Sequence, residues 1–209
     1  MISVGTLAWD DGALTTSSPN GSVRTWRRPA DLAAARLAVE PPCTSLELAD
    51  GRDLLTAAFA VLPFVQAPFP APVFGDAVST AARAVFETLR TTEASALRVL
   101  RGEPDDYLLF ARTTSEGWQV GALTAEPLVL TVRVEDLWRT EGQVKPPARA
   151  FRVDVVRDPN AKDDPSAVAA GVVREVLTDV APDARIFLEL ARNGGFVLTF
   201  RREGLGTES

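Results

Sequence analysis

The sequence contains no histidine and a single cysteine, Cys43. The first absence excludes Ser-His-Asp and Cys-His nucleophile systems and any zinc site that needs an imidazole. The second excludes an intrachain disulfide and a metal site built from two or four thiolates. Cys43 itself, beside Pro42 and with no basic partner nearby, reads as a small buried hydrophobe. Lysine is scarce too. Lys145 and Lys162 stand against twenty arginines, a bias of genomic base composition rather than of mechanism. Carboxylates, hydroxyls and guanidinium groups remain for chemistry, so a carboxylate-only reaction such as glycoside hydrolysis stays open. No residue pattern calls for a cofactor.

A long apolar run is also missing. The uncharged stretch 54–75 is broken by Pro63, Pro68, Pro70 and Pro72. Its uninterrupted apolar part, Leu54 to Leu62, is far shorter than the ~20 residues of a membrane span. The opening MISVGTLAWDDG has neither a basic n-region nor an apolar core, so no secretory leader is visible. Location is therefore unknown, with the cytoplasm as the default reading. An excess of basic charge is absent as well. The net charge of −6 argues against nucleic acid or an anionic membrane as a partner.

The 209 residues, 46% hydrophobic and 24% charged, have the composition of an ordinary globular protein. Four segments are expected: residues 1–50 of unclear structure, a helical lead-in over 51–94, a β-sandwich over 95–203 and a tail over 204–209. In the first, Val4 to Trp9, Val23 to Arg27 and Leu46 to Leu48 suggest short strands. The run between the first two is rich in turn residues, and Asp31 to Val39 suggests a helix ended by Pro41 and Pro42. Arg52 to Leu62 is apolar nearly all round. Asp76 to Arg90 is amphipathic, with Val78, Ala81, Ala82, Val85, Phe86 and Leu89 on one face and Asp76 as N-cap.

From about Ala96 the period changes to two. Short strands follow at Leu97 to Arg101, Tyr107 to Thr114, Trp118 to Leu123, Leu128 to Val134 and Phe151 to Val156. Ser115-Glu116-Gly117 turns a hairpin. Residues 163–180 read two ways. Asp164-Pro165 starts a helix, while the β-branched run after Gly171 favours a strand. Ile186 to Leu190 and Phe196 to Phe200 flank Asn193-Gly194 and predict a hairpin with a type I′ turn. The expected fold is mainly β: an antiparallel β-sandwich of about seven to eight strands, with one or two helices packed N-terminal to it.

The stretch ALRVLRGEPDDYLLFARTTSEGWQVGALTAEPLVLTVRVEDL resembles the C-terminal β-sandwich of glycoside hydrolase family 97. The pieces that carry the resemblance are Leu97 to Gly102, Glu103 to Tyr107, Leu108 to Arg112, Trp118 to Gly121 and Leu128 to Leu137. Arg157-Asp-Pro-Asn-Ala161 and Leu190-Ala-Arg-Asn-Gly-Gly-Phe196 add two turns similar to the family's. The match runs over about 54–203, while Gln119 and Leu123 depart from the pattern and residues 1–50 lie outside it. The resemblance implies a non-catalytic module that acts in packing or oligomerisation. The family's catalytic carboxylates and calcium ligands belong to a barrel that this chain is too short to hold, so none is carried over.

Candidate sites follow from residue type. Trp138, Tyr107 and Trp118 are the candidates for a sugar-stacking surface. Trp118 alternates with polar neighbours and reads as core, and Trp138, at a strand end, reads as partly exposed. Asp158, Asn160, Asp163 and Asp164 crowd four oxygen side chains into seven residues, as calcium loops do, although a solvated turn is the simpler reading. Glu103, Asp105 and Asp106 share one loop and make a poor carboxylate pair. Arg24, Arg27 and Arg28 read as a solvated strand face. The helix Arg52 to Leu62 has almost no polar side, so Leu54, Leu55, Ala58, Phe59 and Leu62 are expected to divide between core and a homodimer interface. Carbohydrate and a glycosidase catalytic domain are the other partners the sequence allows.

Overall fold

The computed structural model describes residues 6–10, 13–17, 23–26, 45–50, 73–77, 80–103, 106–124, 126–139, 146–147, 150–192 and 194–202. Five short strands come first: β1 (Thr6–Asp10), β2 (Ala13–Ser17), β3 (Val23–Trp26), β4 (Ser45–Asp50) and β5 (Val73–Ala77). They form one mixed sheet in the order β3-β2-β1-β4-β5. β1 and β2 pair antiparallel with Asp10 opposite Ala13, whereas β1 with β4 and β4 with β5 run parallel. The run expected to consist of turn residues thus contains a strand. Asp11-Gly12, placed between two paired residues, is the short-range hairpin signal that reveals it.

Helix α1 (Thr80–Thr91) follows. It starts later than expected, because Asp76 lies in β5 rather than at an N-cap. Pairing of Val73 and Phe74 with Glu47 and Leu48 of β4 draws that segment into the sheet and overrides the local capping signal. Val85, Phe86 and Leu89 are the buried face of α1, as the helical period predicts. The expected helix Arg52 to Leu62, with its interface candidates Leu54, Leu55, Ala58, Phe59 and Leu62, lies outside the described residues, as do Asp31 to Val39 and Cys43.

The remaining strands are β6 (Ala94–Glu103), β7 (Tyr107–Thr114), β8 (Gly117–Thr124), β9 (Leu128–Arg133), β10 (Phe151–Arg157), β11 (Val173–Val180), β12 (Arg185–Leu190) and β13 (Gly195–Arg202). Six of them form a sheet in the order β11-β10-β13-β8-β7-β6, and β12 pairs with β9 in a second, two-stranded sheet. Every pair in both sheets is antiparallel. The mainly β, sandwich-like fold expected from the sequence is therefore present.

Side-chain alternation assigns the layers. Trp118, Val120 and Ala122 of β8 share a face with Phe196, Leu198 and Phe200 of β13 and with Phe151, Val153 and Val155 of β10. This face meets the inner side of the two-stranded sheet, Leu130, Val132, Ile186, Leu188 and Leu190, in one buried cluster. Phe151 packs edge-on against both Trp118, at 5.5 Å, and Phe200, at 6.1 Å. Burying each of these aromatics contributes on the order of 2–3 kcal/mol. The opposite face of the six-stranded sheet carries Leu108, Phe110 and Arg112, and α1 lies on that side. Covered from both sides, β8 is buried along its whole length.

One local reading is corrected and one open reading is resolved. The type I′ hairpin over 186–200 does not form, because β12 pairs with β9 while β13 pairs with β10 and β8. The segment between them crosses from one layer to the other, with the Gly194 N–H donating to the Ala191 carbonyl at 3.0 Å. Both strands alternate whether they pair or cross, so periodicity alone does not separate the two arrangements. Residues 163–180 combine both earlier alternatives. Asp164 caps a one-and-a-half-turn helix α3 (Pro165–Ala170) with Pro165 in its first turn, Gly171 ends it in the left-handed conformation, and β11 begins at Val173. Between β9 and β10 a single turn, α2 (Glu135–Trp138), folds Leu137 and Trp138 back onto the core.

Candidate functional site

The candidate sugar-stacking aromatics Trp118, Trp138 and Tyr107 do not form an exposed surface. Trp118 is 1% exposed and lies inside the sandwich. Trp138, expected to be partly exposed, is 5% exposed, and its indole N–H donates to the Pro182 carbonyl at 2.9 Å. The reason is α2, which turns the end of β9 inward instead of releasing it into the following segment. Tyr107 is half-buried and packs against the same core.

The oxygen-rich loop after β10 is held by its own sheet. Asp163 accepts two hydrogen bonds from Arg157, at 2.7 and 2.8 Å, and one from the Asn160 backbone N–H. Asp158 accepts from the Gly195 N–H at 2.7 Å. The Asn160 amide donates to the Glu189 carbonyl at 3.0 Å, and Asp164 accepts from Ser166 as helix cap. The four candidate side chains thus serve separate structural partners, and no cluster of three or more acidic or thiol groups fit for a metal occurs among the described residues. The guanidinium of Arg157 holds the Asp163 carboxyl at about 2, below its ordinary 3.8, with the Asn160 N–H adding to the effect. Glu103 and Asp106 sit on the β6–β7 turn, where the Asp106 N–H donates to the Glu103 carbonyl. Asp105 lies outside the described residues, as do Arg27 and Arg28, while Arg24 is in β3.

One buried charge escaped the sequence reading. Arg112 of β7 is 2% exposed, and it donates to the Gln119 side-chain oxygen and the Leu89 carbonyl, both at 2.7 Å. It ties the last turn of α1 to β7 and β8. Burial pushes its pKa down to about 10, so it stays charged at neutral pH. Its neighbours Phe110 and Leu109 gave the signal, since an arginine within a strand buried on both faces has to find acceptors.

What the described surface offers instead lies on the outside of the two-stranded sheet. Phe187 is 66% exposed and Val129 is 59% exposed. Around them stand Thr131, Arg133, Arg185 and Glu189. The register places Arg185 opposite Arg133, Phe187 opposite Thr131 and Glu189 opposite Val129. Side chains from neighbouring segments tie down both strands and the turn α2 that follows β9. Arg101 of β6 donates to the Thr131 carbonyl, Arg98 to the carbonyls of Asp136 and Leu137, and Asn160 to that of Glu189.

This framework matches a known one. The family model described as glycosyl-hydrolase 97 C-terminal, oligomerisation, matches residues 93–201. The chain belongs to that family. The matched region runs from just before β6 into β13, and residues 54–92, included in the resemblance above, fall outside it. Among solved structures, the chain is similar to a glycoside hydrolase family 97 enzyme from Pseudoalteromonas sp. strain K8 in complex with acarbose. The identity is 15% and the TM-score 0.50, over 73% of this chain and 22% of that one. It is similar to a β-arabinopyranosidase at 18% identity and TM-score 0.48, over 70% of this chain and 21% of that one. For α-galactosidase I from Mortierella vinacea the values are 13% and 0.44, over 72% and 35%. At such identity the likeness to the Pseudoalteromonas enzyme shows the fold alone, and this chain spans about a fifth of that enzyme's length. No curated protein sequence matches.

Proposed function

We propose that the chain is a non-catalytic association module whose partner is a second copy of itself. The observation that carries this reading is a contrast among the residues whose side chains are described. There the tryptophans, Trp118 and Trp138, are buried, while an apolar pair, Phe187 and Val129, stands exposed on one face. The carboxylates of the loop after β10 are engaged in structural hydrogen bonds, which leaves them poorly suited to acid–base work. Turnover of aryl α-glucosides and α-galactosides by the purified chain tests the non-catalytic half. No turnover is expected, and turnover abolished by one point mutation in the chain would refute it. Titration with a panel of oligosaccharides tests the competing carbohydrate-binding reading, for which no change in tryptophan fluorescence is expected.

A second reading is supported by coverage. The chain corresponds to 22% of the Pseudoalteromonas enzyme. A glycosidase barrel, on the same or another polypeptide, is then a further partner. Co-purification of the chain with such a domain from the source cells tests it.

A further inference from the structure

The exposed face of the two-stranded sheet carries a pattern that is complementary to itself. Along β12 the outward positions are Arg185, Phe187 and Glu189: a cation, an aromatic ring and an anion at alternate residues. β9 places Arg133, Thr131 and Val129 opposite them. Within one chain the arrangement is unfavourable. Arg133 and Arg185 are like charges directly across the pair, which destabilises a sheet, and Phe187 leaves most of its ring in water. Glu189 reaches Lys162 at 3.4 Å, but both side chains are largely exposed, so that pair contributes little and exchanges readily.

We propose that this face is the contact between two copies of the chain, related by a two-fold axis that lies in the interface and runs perpendicular to the strands. The proposal rests on the association reading above and names its surface and its occupant. Such an axis reverses strand direction while keeping β12 over β12 and β9 over β9. Phe187 then meets Phe187 of the second copy at the axis. Arg185 lies over Glu189 of the second copy, and Glu189 over its Arg185, so two ion pairs flank one aromatic contact. Arg133 comes over Val129 of the second copy, next to that same Glu189, and the crowded guanidinium pair gains a carboxylate. An axis along the strands is excluded, because it would stack four arginines at one end. The charge order, positive to negative along a single strand, is satisfied at both ends by another copy of the same strand. A uniformly acidic or basic partner would leave one end unmatched.

Two six-residue strands offer less than the ~800 Å² per partner of a standard stable interface. The dimer is therefore weak, concentration-dependent and loosened by salt. Sedimentation equilibrium on the whole chain tests this, comparing the wild type with Phe187→Ser, Arg185→Glu, Glu189→Arg and the double variant R185E/E189R. All three side chains are exposed, and thermal melts confirm that each variant folds. The wild type is expected to dimerise reversibly, and each single variant to raise the dissociation constant about tenfold or more. The double variant, with its charges exchanged, is expected to associate better than either single reversal. A wild-type dimer unchanged by these substitutions, or a double variant no better than the singles, overturns the surface while the association reading stands. A wild type that stays monomeric at every concentration rejects the association reading itself.

Discussion

Arg157 grips Asp163 through two near-parallel hydrogen bonds of 2.7 and 2.8 Å, and the same guanidinium reaches Glu175 on β11 at 3.0 Å. One arginine at the end of β10 thus fastens the loop that follows it to the neighbouring strand. The oxygen-rich segment after β10 is in this way clamped to its own sheet.

The clamp makes stability depend on pH in a defined sense. The Asp163 carboxyl is lowered from 3.8 to about 2, chiefly by the Arg157 hydrogen bonds. Its folded pKa is below its unfolded one, so its contribution is fully present above pH ~4 and is lost as the pH falls through ~2. Asp163→Asn should cost about 2 kcal/mol at pH 7 by urea titration, the scale of a hydrogen bond to a charged group. The difference from wild type should shrink as the pH approaches 2. A constant difference across that range would show that the charge is immaterial.

Gly195 opens β13 where the chain passes between layers. A Cβ there would lie 2.5 Å from the Ala122 carbonyl oxygen, a backbone atom that cannot swing aside. Gly195→Val should lower stability by about 2–4 kcal/mol. A denaturation midpoint equal to that of wild type would show that β13 and β8 can separate freely at this end.

Arg112→Met keeps length and bulk but leaves the Leu89 carbonyl and the Gln119 amide oxygen without this donor. A loss of about 2–4 kcal/mol is expected. Faster amide hydrogen exchange is expected in the last turn of α1, while exchange in β10 and β13 stays as in wild type. Uniformly faster exchange would mean that Arg112 supports the whole core rather than the helix.

Strands β9 and β10 were legible because each buries alternate residues against the core, which imprints a period of two, while β7 and β8, buried on both faces, were legible as apolar runs set apart by the turn residues Ser115-Glu116-Gly117. The helix α1 was legible by its period of 3.6, but its start was not. Whether Asp76 caps a helix or extends β5 depends on β4, nearly thirty residues earlier in the chain. The false hairpin at Asn193-Gly194 has a similar cause. Strand pairing is a non-local choice, and the β12 pattern suits a partner in either layer. Trp138 was misplaced because a single helical turn leaves no periodic trace. The face around Phe187 stayed hidden for a subtler reason. Ile186, Leu188 and Leu190 define the inner side of β12, which by alternation puts Phe187 outside, yet a phenylalanine in an apolar run draws no notice until its exposure is known.

Light scattering on the purified chain, from low to high micromolar concentration, bears most directly on the account. A weak two-fold dimer gives a mass that climbs from the 22.4 kDa of one chain toward twice that value, and that falls back when salt is raised. A constant 22.4 kDa over the whole range would contradict it.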